Sequence, residues 1–284
     1  MSQAVPDGGA FALNLAVTAA AVLAIMLATF VVGVRTGRHR AVDVAWGLAF
    51  AELALVGYLL SDGEGDPGRR VLVTVLVVVW GVRLSAHLWW RARGLPEDRR
   101  YARMLARVPE GPARVRYALR KVYLLQAAIV WFVSLPVQAA QYVQSPPGAL
   151  AWAGVGLWTV GLAFEAVGDR QLTRFKADPA NRGRIMDRGL WRYTRHPNYF
   201  GDACVWWGVF LLVADTPVGW AFVLSPVLMT WLLAFGSGKP MLERQLAAER
   251  PGWAEYAART SGFVPLPPRR DPRTPTAPPA RPHP

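Results

Sequence analysis

Gly189-Leu190-Trp191-Arg192-Tyr193-Thr194-Arg195-His196-Pro197-Asn198-Tyr199-Phe200-Gly201-Asp202 runs almost directly into the apolar stretch 205–213, which carries two tryptophans. Proline has no N–H to lose and a preset φ, so Pro197 suits the first position of a helix. Asn198 and Asp202 then fall at i and i+4, on one face of that helix. Arg192 and Arg195 precede its start, and a helix N-terminus beside two guanidinium groups is an anion-binding arrangement. A basic loop that only sets membrane orientation is the simpler alternative. The mixture of Arg, His, Asn, Tyr and Asp is too varied for that task alone.

Working outward, apolar runs recur at 11–34, Ala41–Leu60, 71–90, 122–139, 149–168, 201–213 and 219–236. Apolar residues make up 53% of the 284, thirteen are tryptophan, and only 18% are charged. That composition predicts an all-α polytopic membrane bundle of about seven transmembrane helices. The flank before residue 11 has no Lys or Arg, so the first run reads as a permanent helix rather than a secretory signal. The net charge of +13 does not point to nucleic acid, because the basic residues fall between apolar runs rather than on one face. With Arg69, Arg70 and Arg83 as the exceptions, the 32 Arg and Lys lie in segments assigned to one side. The positive-inside rule then puts the N-terminus outside and the C-terminus in the cytoplasm. Cys204 is the single cysteine, which excludes an intramolecular disulfide and a cysteine-based zinc site; no metal is expected. Residues 1–266 read as one transmembrane domain, and 267–284 as a disordered Pro/Arg-rich tail.

Polar groups punctuate the apolar runs. Glu52 lies about 15 Å into the second run at about 1.5 Å per residue, close to the midplane, where an acid is costly and so functional or paired. Asp43 opens the same run, and Arg83 and His87 share a face of the next. Segment 91–121 holds ten Arg/Lys interleaved with acids and tyrosines, including Arg100 and Tyr101. It suits phosphate and ribose contacts, or equally a basic stretch lying on anionic lipid. Glu165 and Asp169 sit at the C-terminal end of the fifth run, where acids oppose the helix dipole. They therefore read as acceptors for a ligand or for the Arg170, Arg174 and Lys176 that follow. Lys239 and Glu243 come after the last run.

The string Arg195-His196-Pro197-Asn198-Tyr199-Phe200-Gly201-Asp202 resembles the RHPNYxGE signature of the steroid 5α-reductase superfamily, and most of all its bacterial DUF1295 branch. It is more distantly similar to the isoprenylcysteine methyltransferases. Asp43-Val44-Ala45-Trp46-Gly47, the segment Gly94 to Tyr101 and the closing Ser237-Gly238-Lys239-Pro240-Met241-Leu242-Glu243 resemble further segments of that branch. Asp202 departs from the pattern, being one methylene shorter than the usual Glu. The resemblance covers about 42–265.

The resemblance implies a membrane reductase of the bacterial inner membrane that uses NADPH from the cytoplasmic side. Its expected substrate is a steroid- or polyprenyl-like lipid, entering from the bilayer, with a C=C bond conjugated to a carbonyl. Expected cofactor-binding residues are Arg100, Glu165, Asp169, Arg174, Lys176, Arg195, Asn198, Tyr199, Asp202, Lys239 and Glu243; expected catalytic residues are Glu52, Tyr101 and His196. No glycine-rich dinucleotide fingerprint is present, so arginines and the helix start at Pro197 must carry the phosphates. The alternative is an S-adenosylmethionine-dependent methyltransferase of membrane lipids or isoprenoids. A pocket rich in arginine favours a polyphosphate dinucleotide over a sulfonium cofactor.

Overall fold

A computed structural model describes residues 8–236 and 238–269. The expected tail falls largely on 270–284, outside the described residues, as does Ser237 of the closing motif. The protein is all-helical, with no strand among the described residues. The long helices are α1 (Gly8–Thr36), α2 (Ala41–Leu60), α3 (Pro67–Ala92), α5 (Pro112–Ala140) and α6 (Ala149–Ala177). Short α4 (Arg99–Leu105) precedes α5, and α7 (Pro197–Ala214) follows α6. A 3₁₀ turn at Pro217–Phe222 leads into α8 (Leu224–Ala234), followed by α9 (Lys239–Glu249) and α10 (Trp253–Arg259).

Among the described residues, six helical stretches are long and apolar enough to cross a membrane: α1, α2, α3, α5, α6 and Pro217–Glu249. The chain is an integral membrane protein. The signature helix α7, expected as a further crossing, is 18 residues long and is not among the six, because its first turns carry Asn198 and Asp202.

The helix starts follow from local chemistry. Asp66 caps α3 by accepting from the Arg69 N–H at 2.8 Å, with Pro67 next in line. Asp98 caps α4 in the same way through the Arg100 N–H. Leu119–Leu124 within α5 is a π-helical turn, and it carries Tyr123.

The chain forms two compact units: Met1–Thr159 with Val205–Met229, and Val160–Cys204 with Thr230–Pro284. In the first, α1 buries a narrow stripe at four-residue steps, Asn14, Thr18, Val22 and Met26, leaving most of its surface for lipid. Phe50, Trp80 and Trp206 form its aromatic core, with ring centroids 4.4–5.5 Å apart. Gly47 and Gly81 let α2 and α3 touch through their backbones. Buried side-chain amides join helices. Gln138 accepts from Asn14 Nδ2 at 3.0 Å and Thr18 Oγ1 at 2.7 Å, and Gln141 donates to Ala54 O and Thr74 Oγ1.

Arg69, one of the exceptions to the one-sided distribution of basic residues, has no exposed side-chain surface. All five of its donors are placed. Nε meets Ser145 O at 3.0 Å, Nη1 meets Asp215 Oδ1 and Leu212 O, and Nη2 meets Asp215 Oδ2 and Pro146 O. One guanidinium therefore ties the start of α3 to the 145–148 turn and to the end of α7.

Three of the four glycines of α6 recur every seven residues, at 154, 161 and 168. In the first unit a Cβ on Gly154 would lie 2.6 Å from Gly208 O of α7. In the second, one on Gly201 would lie 2.5 Å from Gly161 O, and one on Gly168 would lie 3.1 Å from Pro197 Cγ. The helices pack backbone to backbone within each unit.

Candidate functional site

The second unit builds its site around the turn before α7. Gly189 has φ 58° and abuts the Gln171 side chain, whose Oε1 accepts from the Leu190 N–H at 3.0 Å. Trp191 Nε1 donates to Gly168 O at 3.0 Å, and Tyr256 OH donates to Trp191 O at 2.6 Å. The chain beyond α10 then clasps the signature. Arg195 N–H donates to Ser261 O at 2.9 Å, Thr194 Oγ1 to Phe263 O at 2.8 Å, and Leu266 N–H to Tyr193 O at 3.0 Å.

On that clasp sits a charged cluster. One oxygen of Glu243, Oε1, accepts from Arg195 Nε at 2.8 Å and lies 3.0 Å from His196 Nε2. Arg195 Nη1 also donates to Ala257 O and Thr260 O. A Cβ built on Gly262 would lie 3.0 Å from Lys239 Nζ and 3.1 Å from Arg195 Nη2, so two cations meet over a bare glycine backbone. Burial pushes His196 below its ordinary pKa, against the pull of Glu243, and the Arg195 and Lys239 charges add to the lowering. The neutral ring donates from Nε2 to Glu243 and stacks on Tyr199, with centroids 5.2 Å apart.

Five residues of the expected set thus meet here: Arg195, His196, Tyr199, Lys239 and Glu243. Nearby, Asn198 Oδ1 accepts the Tyr199 N–H at 3.1 Å, and Asp202 lies one turn on, half-buried. Glu165 and Asp169 are both buried on α6, and the Glu165 N–H lies 2.8 Å from where a Cβ on Gly201 would stand. Arg174 and Lys176 are exposed at the end of α6.

The first unit holds the other three. Asp43 of α2 accepts from Tyr101 OH through Oδ1 and from Arg100 Nη2 through Oδ2, each at 2.6 Å. Arg100 is held from the other side by Asp98 at 3.0 Å. Burial raises the Tyr101 phenol well above its usual pKa, and Asp43 adds to the rise, so the hydroxyl keeps its proton. Glu52 is half-buried, and its Oε2 is buried with no hydrogen-bond partner among the described residues.

Two residues outside the expected set organise this region. Asp43 carries both Arg100 and Tyr101, and its signal was visible as an acid at the start of a helix facing a basic segment. Glu97 caps the α1–α2 turn: Oε1 accepts from the Arg40 N–H at 3.0 Å and the Asp98 N–H at 2.7 Å, and Oε2 accepts from the His39 N–H. Nothing local marks Glu97 as a cap of that turn, because His39 and Arg40 lie almost sixty residues away.

A polytopic helical membrane protein with a polar, cation-bearing cluster at the start of one helix is the class these features define. The chain belongs to the DUF1295 family: the family model described as "Protein of unknown function (DUF1295)" matches residues 29–260. It is 22% identical over 261 residues to an uncharacterized protein of Schizosaccharomyces pombe, covering 82% of this chain and 74% of the relative. It is also 26% identical over 110 residues to a very-long-chain enoyl-CoA reductase of Dictyostelium discoideum, covering 39% of this chain and 35% of that one. No solved structure matches.

Proposed function

We propose that the protein is an NADPH-dependent membrane reductase of a C=C bond conjugated to a carbonyl in a lipid substrate. The observation that carries this reading is the pairing of Arg195 and Lys239 over the Gly262 backbone, flanked by the carboxylates of the signature region. Two cations over an open backbone suit a phosphate group better than a zwitterionic sulfonium. The similarity to an enoyl-CoA reductase, whose substrate is a conjugated carbonyl compound, supports the reaction class.

The donor set fits the group. Arg195 and Lys239 would take phosphate oxygens, while Glu165, Asp169 and Asp202 would accept from ribose hydroxyls or the carboxamide. Glu243 holds Arg195 and His196 in place through a single oxygen. When bound, NADPH supplies the hydride for the β-carbon of the substrate. Glu52 would present its carboxyl proton to the carbonyl oxygen as charge gathers there, and a fixed donor of this kind contributes about 3–4 kcal/mol. The Tyr101 hydroxyl, which donates to Asp43 at 2.6 Å, holds that carboxylate against Arg100, and the α-carbon would take its proton from water.

Purified protein in detergent, titrated in parallel with NADPH, NADH and S-adenosylmethionine, tests the reading. NADPH should bind more tightly than NADH, because a cation near the signature can pair with the 2′-phosphate. Lys239→Ala should erase that preference. Equal affinity for the two nicotinamides, or binding of S-adenosylmethionine alone, would overturn it.

A further inference from the structure

Segment 89–121 joins α3 to the first turns of α5 and carries ten Arg/Lys against three acids, Glu97, Asp98 and Glu110. The structure uses all three acids internally. Glu97 caps the α1–α2 turn through backbone N–H groups, Asp98 caps α4 and holds Arg100, and Glu110 pairs with Arg114 at 2.8 Å. Six exposed cations are left with no side-chain partner among the described residues: Arg91, Arg103, Arg107, Arg116, Arg120 and Lys121. Cations meant only for solubility would normally be interspersed with exposed acids.

A second observation fixes the depth of this surface. Trp89 and Trp90, at the end of spanning helix α3, are 54% and 53% exposed. Arg93 lies over the Trp89 ring at 3.5 Å from its centroid. Exposed tryptophans at the end of a spanning helix mark the level of the lipid headgroups. Arg91 and Arg93 follow within a turn of them, and Arg116, Arg120 and Lys121 sit in the early turns of α5. Arg116 and Arg120 are one helical turn apart, on one face.

We propose that segment 89–121 is a binding surface for anionic phospholipid headgroups, with Arg103, Arg107, Arg116 and Arg120 as its principal contacts and Trp89 and Trp90 as its interfacial anchors. Guanidinium groups pair with phosphate diesters through two parallel N–H···O bonds. A cation near an anionic leaflet strengthens association about fivefold. The surface is distinct from Arg100 and Tyr101, which turn inward to Asp43. A soluble nucleotide or a nucleic acid would gain nothing from the exposed tryptophans at headgroup depth, and so is the less suitable partner.

The test reconstitutes the full chain in bilayers of equal parts phosphatidylcholine and phosphatidylglycerol, re-purifies it in mild detergent, and measures the retained lipids by mass spectrometry. Wild type should retain phosphatidylglycerol about fivefold over its input ratio or more. The excess should vanish in about 1 M salt, where screening acts within about 3 Å. Arg103→Gln/Arg107→Gln/Arg116→Gln/Arg120→Gln should return the ratio to within about twofold of input. Retention at the input ratio by wild type, or an excess indifferent to salt, overturns the proposal without needing the variant to fold. Displacement of the lipid by millimolar inorganic phosphate would show a site for free phosphate instead. Cofactor binding takes no part in this measurement, so it stands or falls apart from the reductase reading.

Discussion

Replacing Glu243 by alanine removes one oxygen that steadies two signature side chains at once. Oε1 takes Arg195 Nε at 2.8 Å and His196 Nε2 at 3.0 Å. Without it, Arg195 keeps its bonds to Ala257 O and Thr260 O, but its charge, 12% exposed with Lys239 nearby, has lost its counter-ion. Breaking a fully buried pair by deleting one partner costs about 3–5 kcal/mol. Glu243 is 20% exposed, so solvent screening lowers the figure to about 2–3 kcal/mol. The loss falls on the clasp between the signature and the chain beyond α10, so it should register as local opening rather than global unfolding. Hydrogen exchange read by mass spectrometry should show peptides spanning 190–200 and 253–266 exchanging about 30–150-fold faster. Peptides from α2 and α3 should be unchanged. Glu243→Gln keeps an acceptor and should show a smaller rise. Exchange within about threefold of wild type in the alanine variant would mean that the clasp does not depend on this carboxylate.

Four further outcomes are expected. Asp215→Ala strands the fully buried Arg69 guanidinium, and should cost about 3–5 kcal/mol in denaturant unfolding of the detergent-solubilised protein; under about 1 kcal/mol would refute the lock. His196 has a folded pKa below its ordinary value, so the unfolded chain binds the extra proton; stability is full above about pH 6.5 and falls as pH drops through the lowered value. His196→Asn should flatten that limb of the pH–stability curve. In a turnover assay Glu52→Leu should lose about 100-fold or more while Glu52→Gln retains most activity, whereas full activity in the leucine variant would remove Glu52 from the chemistry. Asp202→Ala should abolish NADPH binding in a protein of normal elution volume, and Asp202→Glu should restore it.

The helices were legible because membrane-crossing runs are set by composition alone. Ala41–Leu60 is α2 to the residue, and α1 and α3 extend a few residues beyond their apolar runs into polar flanks. Pro197 opens α7 as its ring chemistry requires. Arg69 was not legible. It stands in a loop by every local sign, and its burial is set by Ser145, Pro146, Leu212 and Asp215, which reach it from two distant segments. The same holds at the site. The charged residues of the signature could be picked out in the sequence, but the choice of Glu243 as shared partner of Arg195 and His196 depends on where α9 packs. Periodicity records which face of a helix is apolar; it does not record which acid a buried cation will meet.

The seven-residue glycine step sets a trap for any screen of variants. A single methyl added at Gly201 must displace the Gly161 carbonyl or the Glu165 amide, and the rigid α7 would carry Asn198 and Asp202 with it. An activity screen would therefore rank Gly201 beside the polar residues of the signature, although it can donate nothing to a ligand. Saturating libraries of this chain will return two kinds of dead variant under one score. Only a measurement of helix separation, such as a distance between labels on α6 and α7, can sort the displaced from the disarmed.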